Sequence, residues 1–127
     1  MNDFRGEPSE LRDATIRAAR RVLESGWYVL GHELKDFETR WAALCKTTHA
    51  IGVGNGMDAL EIGLRSLGIG EGDEVITTPM TAFATVLAIL RAWATPVLAD
   101  IDPDTALLSI DSVGRCLTTK TRAVVLV

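Results

Sequence analysis

The stretch Gly52-Val53-Gly54-Asn55-Gly56-Met57-Asp58-Ala59-Leu60 has the residue types and spacing to hold an anion. A short apolar run precedes it and an apolar helical face follows it, so it reads as the link from a strand into a helix. At such a link several backbone N–H groups and the positive end of a helix converge, which suits a phosphate. Glycines let the main chain come close to the anion. A tight strand-to-helix turn without any ligand fits the same residues. A dinucleotide fingerprint, Gly-x-Gly-x-x-Gly, fits less well. Counted from Gly52 its third glycine falls on Met57, and counted from Gly54 it falls on Ala59. The acidic residue that would hold a ribose is also missing, because the next strand ends Thr77-Thr78-Pro79.

Other reactive side chains are less organised. Asp100, Asp102 and Asp104 stand at the carboxyl end of an expected strand, where ligands often bind. They lack the calcium-loop pattern and read as turn and helix-start residues. His32 and His49 have no partner at catalytic or metal spacing and read as structural; no metal is expected. Cys45 and Cys116 are isolated, which fits a reducing cytoplasm better than a disulfide scaffold. Arg17, Arg20 and Arg21 read as a solvated helix face. The other basic residues are scattered and the net charge is −4, which argues against a nucleic-acid or anionic-membrane partner.

The elements that position these residues follow from periodicity. Leu11, Ala14, Ala18 and Val22 predict an amphipathic helix that stops at Ser25-Gly26. Leu34, Phe37, Trp41 and Leu44 predict a second. Ala50-Ile51-Gly52-Val53 suits a buried strand. Ala59, Leu60, Gly63, Leu64 and Leu67 mark the next helix, and Gly68 to Asp73 a turn. Glu74 to Thr78 reads as a strand. Thr81 to Ala92 reads as a helix that is apolar almost all round, hence deeply buried. Pro96 to Ala99 is another strand, Ile110, Val113 and Leu117 a short helix, and Ala123 to Val127 a last strand. Alternation with such loops implies parallel strands joined by helical crossovers.

At 47% hydrophobic residues the chain can fill a core and is not disordered. Met1 to Pro8 is polar and has no apolar signal core. Val86 to Leu98 is interrupted by Arg91 and Pro96 and cannot span a bilayer. The expectation is a soluble cytoplasmic protein. A domain seldom ends inside a buried strand, so the sequence also reads as truncated at Val127. Two parts are expected: a helical N-terminal arm at 1–48 and the first part of an α/β domain at 49–127.

Several segments are landmarks in a fixed order. They are Gly26-Trp27-Tyr28-Val29-Leu30-Gly31, Phe37-Glu38, Gly54 to Leu60, Gly70 to Ile76, Thr81-Ala82-Phe83-Ala84-Thr85, Ala94-Thr95-Pro96-Val97 and Lys120 to Val124. Together, over Gly26 to Val127, they resemble the DegT/DnrJ/EryC1/StrS aminotransferases. The resemblance implies an α/β, aspartate-aminotransferase-like fold (fold type I), of which this is the N-terminal part of the large domain. It implies pyridoxal 5'-phosphate (PLP) as cofactor and a homodimer with active sites at the subunit boundary. The implied reaction moves an amino group, commonly from glutamate, to a nucleotide-linked keto sugar.

Position by position, the resemblance implies that Gly56 and Met57 approach the cofactor phosphate by their backbone. The family often has Thr or Ser where Met57 stands, so a hydroxyl contact is lost there. Ala82 falls where the ring-stacking residue is usually aromatic, with Phe83 beside it. Trp27 and Tyr28 match a segment that borders the substrate opening. Relatives usually have Gly in the stretch Arg91-Ala92-Trp93-Ala94-Thr95-Pro96, which marks Trp93 as a left-handed helix cap. No catalytic residue is assigned: Lys35, Lys46 and Lys120 do not match the Schiff-base lysine, which in the family comes later than this stretch. A non-catalytic regulatory or binding homologue, or a PLP-dependent sugar dehydratase, would share everything seen here.

Overall fold

The computed structural model describes residues 4–127; the polar start Met1 to Asp3, which bears on the absence of a signal core, lies outside them. The chain divides between Gly52 and Val53 into two compact units.

The first unit holds two helices, α1 (Ser9–Ser25) and α2 (His32–Cys45). The expected stop is in place: Gly26 takes the left-handed conformation at φ 67° and returns its N–H to the Leu23 carbonyl. Neither helix has much of a buried side: α1 has no buried residue and α2 only Ala42. An ion pair from Arg21 Nε to Glu33 Oε1, at 3.3 Å, ties α1 to α2.

The second unit runs α3 (Gly56–Ser66), β1 (Glu74–Thr77), α4 (Phe83–Arg91), β2 (Thr95–Leu98), α5 (Ile110–Cys116), β3 (Thr121–Val124). The three strands form one parallel sheet in the order β2-β1-β3, so every crossover is helical as expected. Its middle strand is the most buried one. Val75 and Ile76 are fully buried, and Leu64 and Ile69 from the α3 side and Ile89, Ala92 and Ala94 from the α4 side pack with Val75 into one core. Each such large aliphatic contributes about 1.5–3 kcal/mol by leaving water. Thr77, also buried, remains satisfied because its hydroxyl donates to the Val125 carbonyl at 3.1 Å.

Two expectations are corrected. Ala50 to Val53 is not a strand: no described strand pairs with it, and Ile51 is 81% exposed. Among the described residues its one hydrogen-bond anchor is the Gly52 N–H, which donates to Glu38 Oε1 at 2.7 Å. A run of β-type residues without a ladder partner remains a connection. The helix expected from Thr81 begins at Phe83 and is buried along one side only, through Thr85, Ala88 and Ile89. Leu90 and above all Phe83, 73% exposed, face outward. An all-apolar pattern cannot reveal which side the neighbouring elements cover.

Candidate functional site

The start of α3 is built by a reciprocal cap. Asn55 is extended, and its Oδ1 accepts the Asp58 N–H at 3.0 Å while its Nδ2 donates to Asp58 Oδ2 at 2.9 Å. The first bond is the N-cap half of a capping box; the second differs from it, because Asp58 accepts from the Asn55 side chain and not from its backbone N–H. Gly54 makes room for it: a Cβ there would lie 2.9 Å from Asp58 Oδ2. The Ala59 N–H opens the helical ladder on the Asn55 carbonyl at 3.1 Å. The N–H groups of Gly56 and Met57 are left, and they donate to no acceptor among the described residues. A Cβ on Gly56 would meet nothing within 4 Å. Two free donors at a positive helix end, with open space beside the Gly56 Cα, are what an anionic group requires, so these residues fit a phosphate.

The second pair lies at the start of α4. Ala82 is its N-cap residue and Phe83 its first residue, and both side chains are exposed. Thr81 and Thr85 join their hydroxyls at 2.8 Å across this first turn, and the Met80 N–H donates to Thr78 Oγ1 at 3.2 Å. Chain direction sets the placement. Helix α3 ends just before β1 begins, and α4 starts just after β1 ends, so both helix N-termini belong to the carboxyl edge of the sheet. Helices α3 and α4 pack on each other. Gly56, Met57, Ala82 and Phe83 therefore share one edge, the edge at which parallel α/β sheets bind ligands.

A charged brace between these two helices was not foreseen. Glu61, with a side chain only 14% exposed, accepts from Arg65 Nε at 3.0 Å on one oxygen and forms an ion pair with Arg91 Nε at 2.7 Å through the other. Arg91 Nη1 also stands 4.0 Å from Asp58 Oδ1, and Arg65 Nη2 donates to the Arg91 carbonyl. The Glu61–Arg65 half is legible as an i,i+4 pair. The half that reaches Arg91 depends on tertiary packing, which no local pattern encodes.

Trp27 and Tyr28 belong to the first unit and are exposed. The Trp27 indole N–H donates to the Val29 carbonyl at 2.8 Å, and its ring meets His32 edge-on at 4.9 Å. Tyr28 reaches the Leu23 carbonyl at 3.3 Å through its hydroxyl. With Arg21, Leu30 and Glu33 they line a cavity of about 530 Å³. The aromatic pair thus combines a structural tie between α1 and α2 with an open wall.

The aspartate run does hold a turn. Asp102 Oδ1 accepts from the Asp104 N–H at 2.9 Å, the Thr105 N–H at 3.0 Å and the Thr105 hydroxyl at 3.3 Å. The Thr105 N–H first, then the Asp104 N–H, hold its carboxyl below the ordinary aspartate value. Among the described residues no group of three His, Cys, Asp or Glu is placed to bind a metal, and no helix is long and apolar enough to cross a membrane. Lys35, Lys46 and Lys120 are exposed, on α2, at its end and in the turn before β3.

Residues 9–127 match the DegT/DnrJ/EryC1/StrS aminotransferase family. Among curated relatives, the dTDP-3-amino-3,4,6-trideoxy-alpha-D-glucose transaminase of Streptomyces venezuelae is 47% identical over 121 residues, covering 95% of this chain and 32% of its own length. The chain thus spans about a third of that relative. Among solved structures, S. venezuelae DesV in complex with a ketimine intermediate superposes with a TM-score of 0.89 at 46% identity, covering 98% of this chain and 33% of the other. The PLP-form of Spr1654 from Streptococcus pneumoniae superposes with a TM-score of 0.83 at 35% identity, covering 88% and 29%. The fold is that of type I PLP-dependent aminotransferases.

Proposed function

The chain belongs to the DegT/DnrJ/EryC1/StrS aminotransferase family, and on that premise we propose that the whole protein is a cytoplasmic, homodimeric aminotransferase that moves an amino group from glutamate to a nucleotide-linked keto sugar. The family and a PLP-form neighbour indicate pyridoxal 5'-phosphate as the cofactor. The sugar part of the reading is supported by the relative named as a dTDP-amino-sugar transaminase. Residues 49–127 are then the first part of the PLP-binding large domain, and 1–48 its helical arm.

One observation carries the reading at the level of atoms: the two free N–H groups of Gly56 and Met57 at the start of α3. In this assignment they donate to the cofactor phosphate, aided by about 0.3–1 kcal/mol from the helix end. Met57 needs no hydroxyl for this, because the backbone supplies the donor. Ala82 and Phe83 take the ring side, with Phe83 offering the apolar area that Ala82 lacks. Trp27 and Tyr28 take the substrate side, where aromatic faces suit a sugar or a base. When bound, PLP supplies the electron sink that amino transfer requires. The residues of this chain bind and orient; the Schiff-base lysine is not among Lys35, Lys46 and Lys120.

The test is amino transfer by the whole protein. Supplied with PLP, glutamate and a nucleotide-linked keto sugar, it is expected to yield 2-oxoglutarate and the amino sugar together. Tight cofactor binding without any turnover on a panel of keto sugars would overturn the enzyme reading and favour a binding homologue.

A further inference from the structure

We propose that the Glu61–Arg91 ion pair is a positioning contact for the cofactor phosphate, fixing the register between α3, which carries the N–H donors, and α4, which carries the ring side; this rests on the reading above. The phosphate donors sit on Gly56 and Met57, in the same turn as Asp58 and little more than one turn from Glu61. The ring-side residues sit at the other end of α4 from Arg91. A slide of one helix along the other would therefore separate phosphate donors from ring wall without breaking either helix.

The apolar contact between the helices supplies no directional bond that sets this register. Leu64 of α3 and Ile89 of α4 belong to one buried core, and the hydrophobic attraction that holds them there is non-directional. The charged contact is specific. Glu61 uses both oxygens, one on Arg65 and one on Arg91, and Arg65 also closes on the Arg91 carbonyl at the end of α4. Asp58 adds a second reason. As a carboxylate in the first turn of α3 it would oppose a phosphate dianion nearby, and it is turned toward Asn55 Nδ2 and Arg91 instead. Arg91 thus braces the register and draws an unfavourable charge aside. Half-exposed ion pairs contribute little to overall stability, so the effect is one of geometry.

The experiment is the ratio of affinities of the whole protein for PLP and for pyridoxal, which lacks the phosphate. A general loss of folded protein lowers both affinities and leaves the ratio unchanged. Wild type is expected to favour PLP strongly; no preference would overturn the phosphate assignment itself and this proposal with it. With that preference in hand, Glu61→Gln and Arg91→Gln are each expected to lower the ratio about tenfold, and the double variant to lower it no further than either single change. An unchanged ratio in Glu61→Gln, or single losses that add in the double variant, would overturn the proposal while leaving the phosphate assignment standing. Arg91→Lys decides the matter if Glu61→Gln does not fold. It keeps the charge but loses the planar fork, and a ratio equal to wild type would refute the role.

Discussion

Trp93 closes α4 by donating its N–H to the Leu90 carbonyl at 2.9 Å, and it does so in the left-handed conformation at φ 67°. The next N–H, of Ala94, returns to the Ile89 carbonyl at 3.2 Å, which completes a Schellman-type end. Glycine is the usual residue in this conformation, and a residue with a Cβ costs roughly 1–2 kcal/mol there. The indole regains little, being 72% exposed. Trp93→Gly is expected to stabilise the whole protein, by about 0.5–1 kcal/mol after the greater unfolded-state freedom of glycine is subtracted. Trp93→Ala keeps the strain and removes the indole, so it separates the two effects. Urea unfolding of the three proteins checks this, and a glycine variant no more stable than the alanine one would refute strain at this cap.

Gly56 is a different kind of glycine. Its φ is not positive and a Cβ would meet no atom within 4 Å, so the described residues do not require glycine at this position. Only a ligand would. Gly56→Val is therefore expected to leave the melting temperature of the cofactor-free protein nearly unchanged. Its affinity for PLP should fall about tenfold or more, ~1.4 kcal/mol, because a branched Cβ stands where the phosphate approaches the N–H groups. Calorimetric titration with PLP measures it. Equal affinity in both proteins would remove Gly56 from the phosphate site.

The sequence and the structure agree wherever local chemistry decides. Gly26 stops α1, and the αL cap at Trp93 follows from one residue departing from a glycine position. The parallel sheet follows from alternation. The disagreements arise where a partner decides. Ala50 to Val53 has strand composition and no described strand beside it, and Phe83 is apolar and uncovered. The α3 start was legible as a glycine loop, but the Asn55–Asp58 cap that leaves two N–H groups free was not read, although Asn-x-x-Asp has capping-box spacing. Arg91 lay hidden in an apolar run, and its partners on α3 become neighbours only in three dimensions.

The turn at Asp102 gives a pH prediction. Its carboxylate accepts two backbone N–H groups and a hydroxyl, which hold its pKa below the ordinary value of 3.8. A depressed folded pKa means that the contribution to stability is complete above the unfolded value. It is lost as pH falls from there through the folded pKa. Above that window Asp102→Ala is expected to loosen the 102–105 turn, and below it the two proteins should converge. Carboxyl-detected NMR titration checks the pKa directly, and a midpoint at or above 3.8 would contradict the turn geometry.

The last prediction concerns the lysines. A lysine that holds PLP as a Schiff base is activated by desolvation or by a neighbouring cation. Lys35, Lys46 and Lys120 are all exposed, and Lys120 lies in the turn before β3, at the opposite end of the strands from the carboxyl edge that carries Gly56, Met57, Ala82 and Phe83. Lys46 ends α2 at φ 56°, and the Lys120 N–H is bound to Thr118 Oγ1 in the turn at the amino end of β3. Residues 1–127 produced alone are therefore expected neither to fix PLP on one lysine nor to turn over. Their solution state should also be poor. The outer edge of β3 has no partner among the described residues, and Leu126 beside it is 78% exposed, which favours association of edges. Any exposed amine reacts slowly with an aldehyde, so the measurement must separate a site from scattered labelling. Reduction with borohydride after incubation with PLP, followed by peptide mapping, should find low and distributed modification of the three lysines. A parallel assay with glutamate and a keto sugar should find no amino sugar. Stoichiometric labelling of one lysine together with turnover would mean that the reactive centre lies within these residues, and would displace it from the lysine assigned outside them.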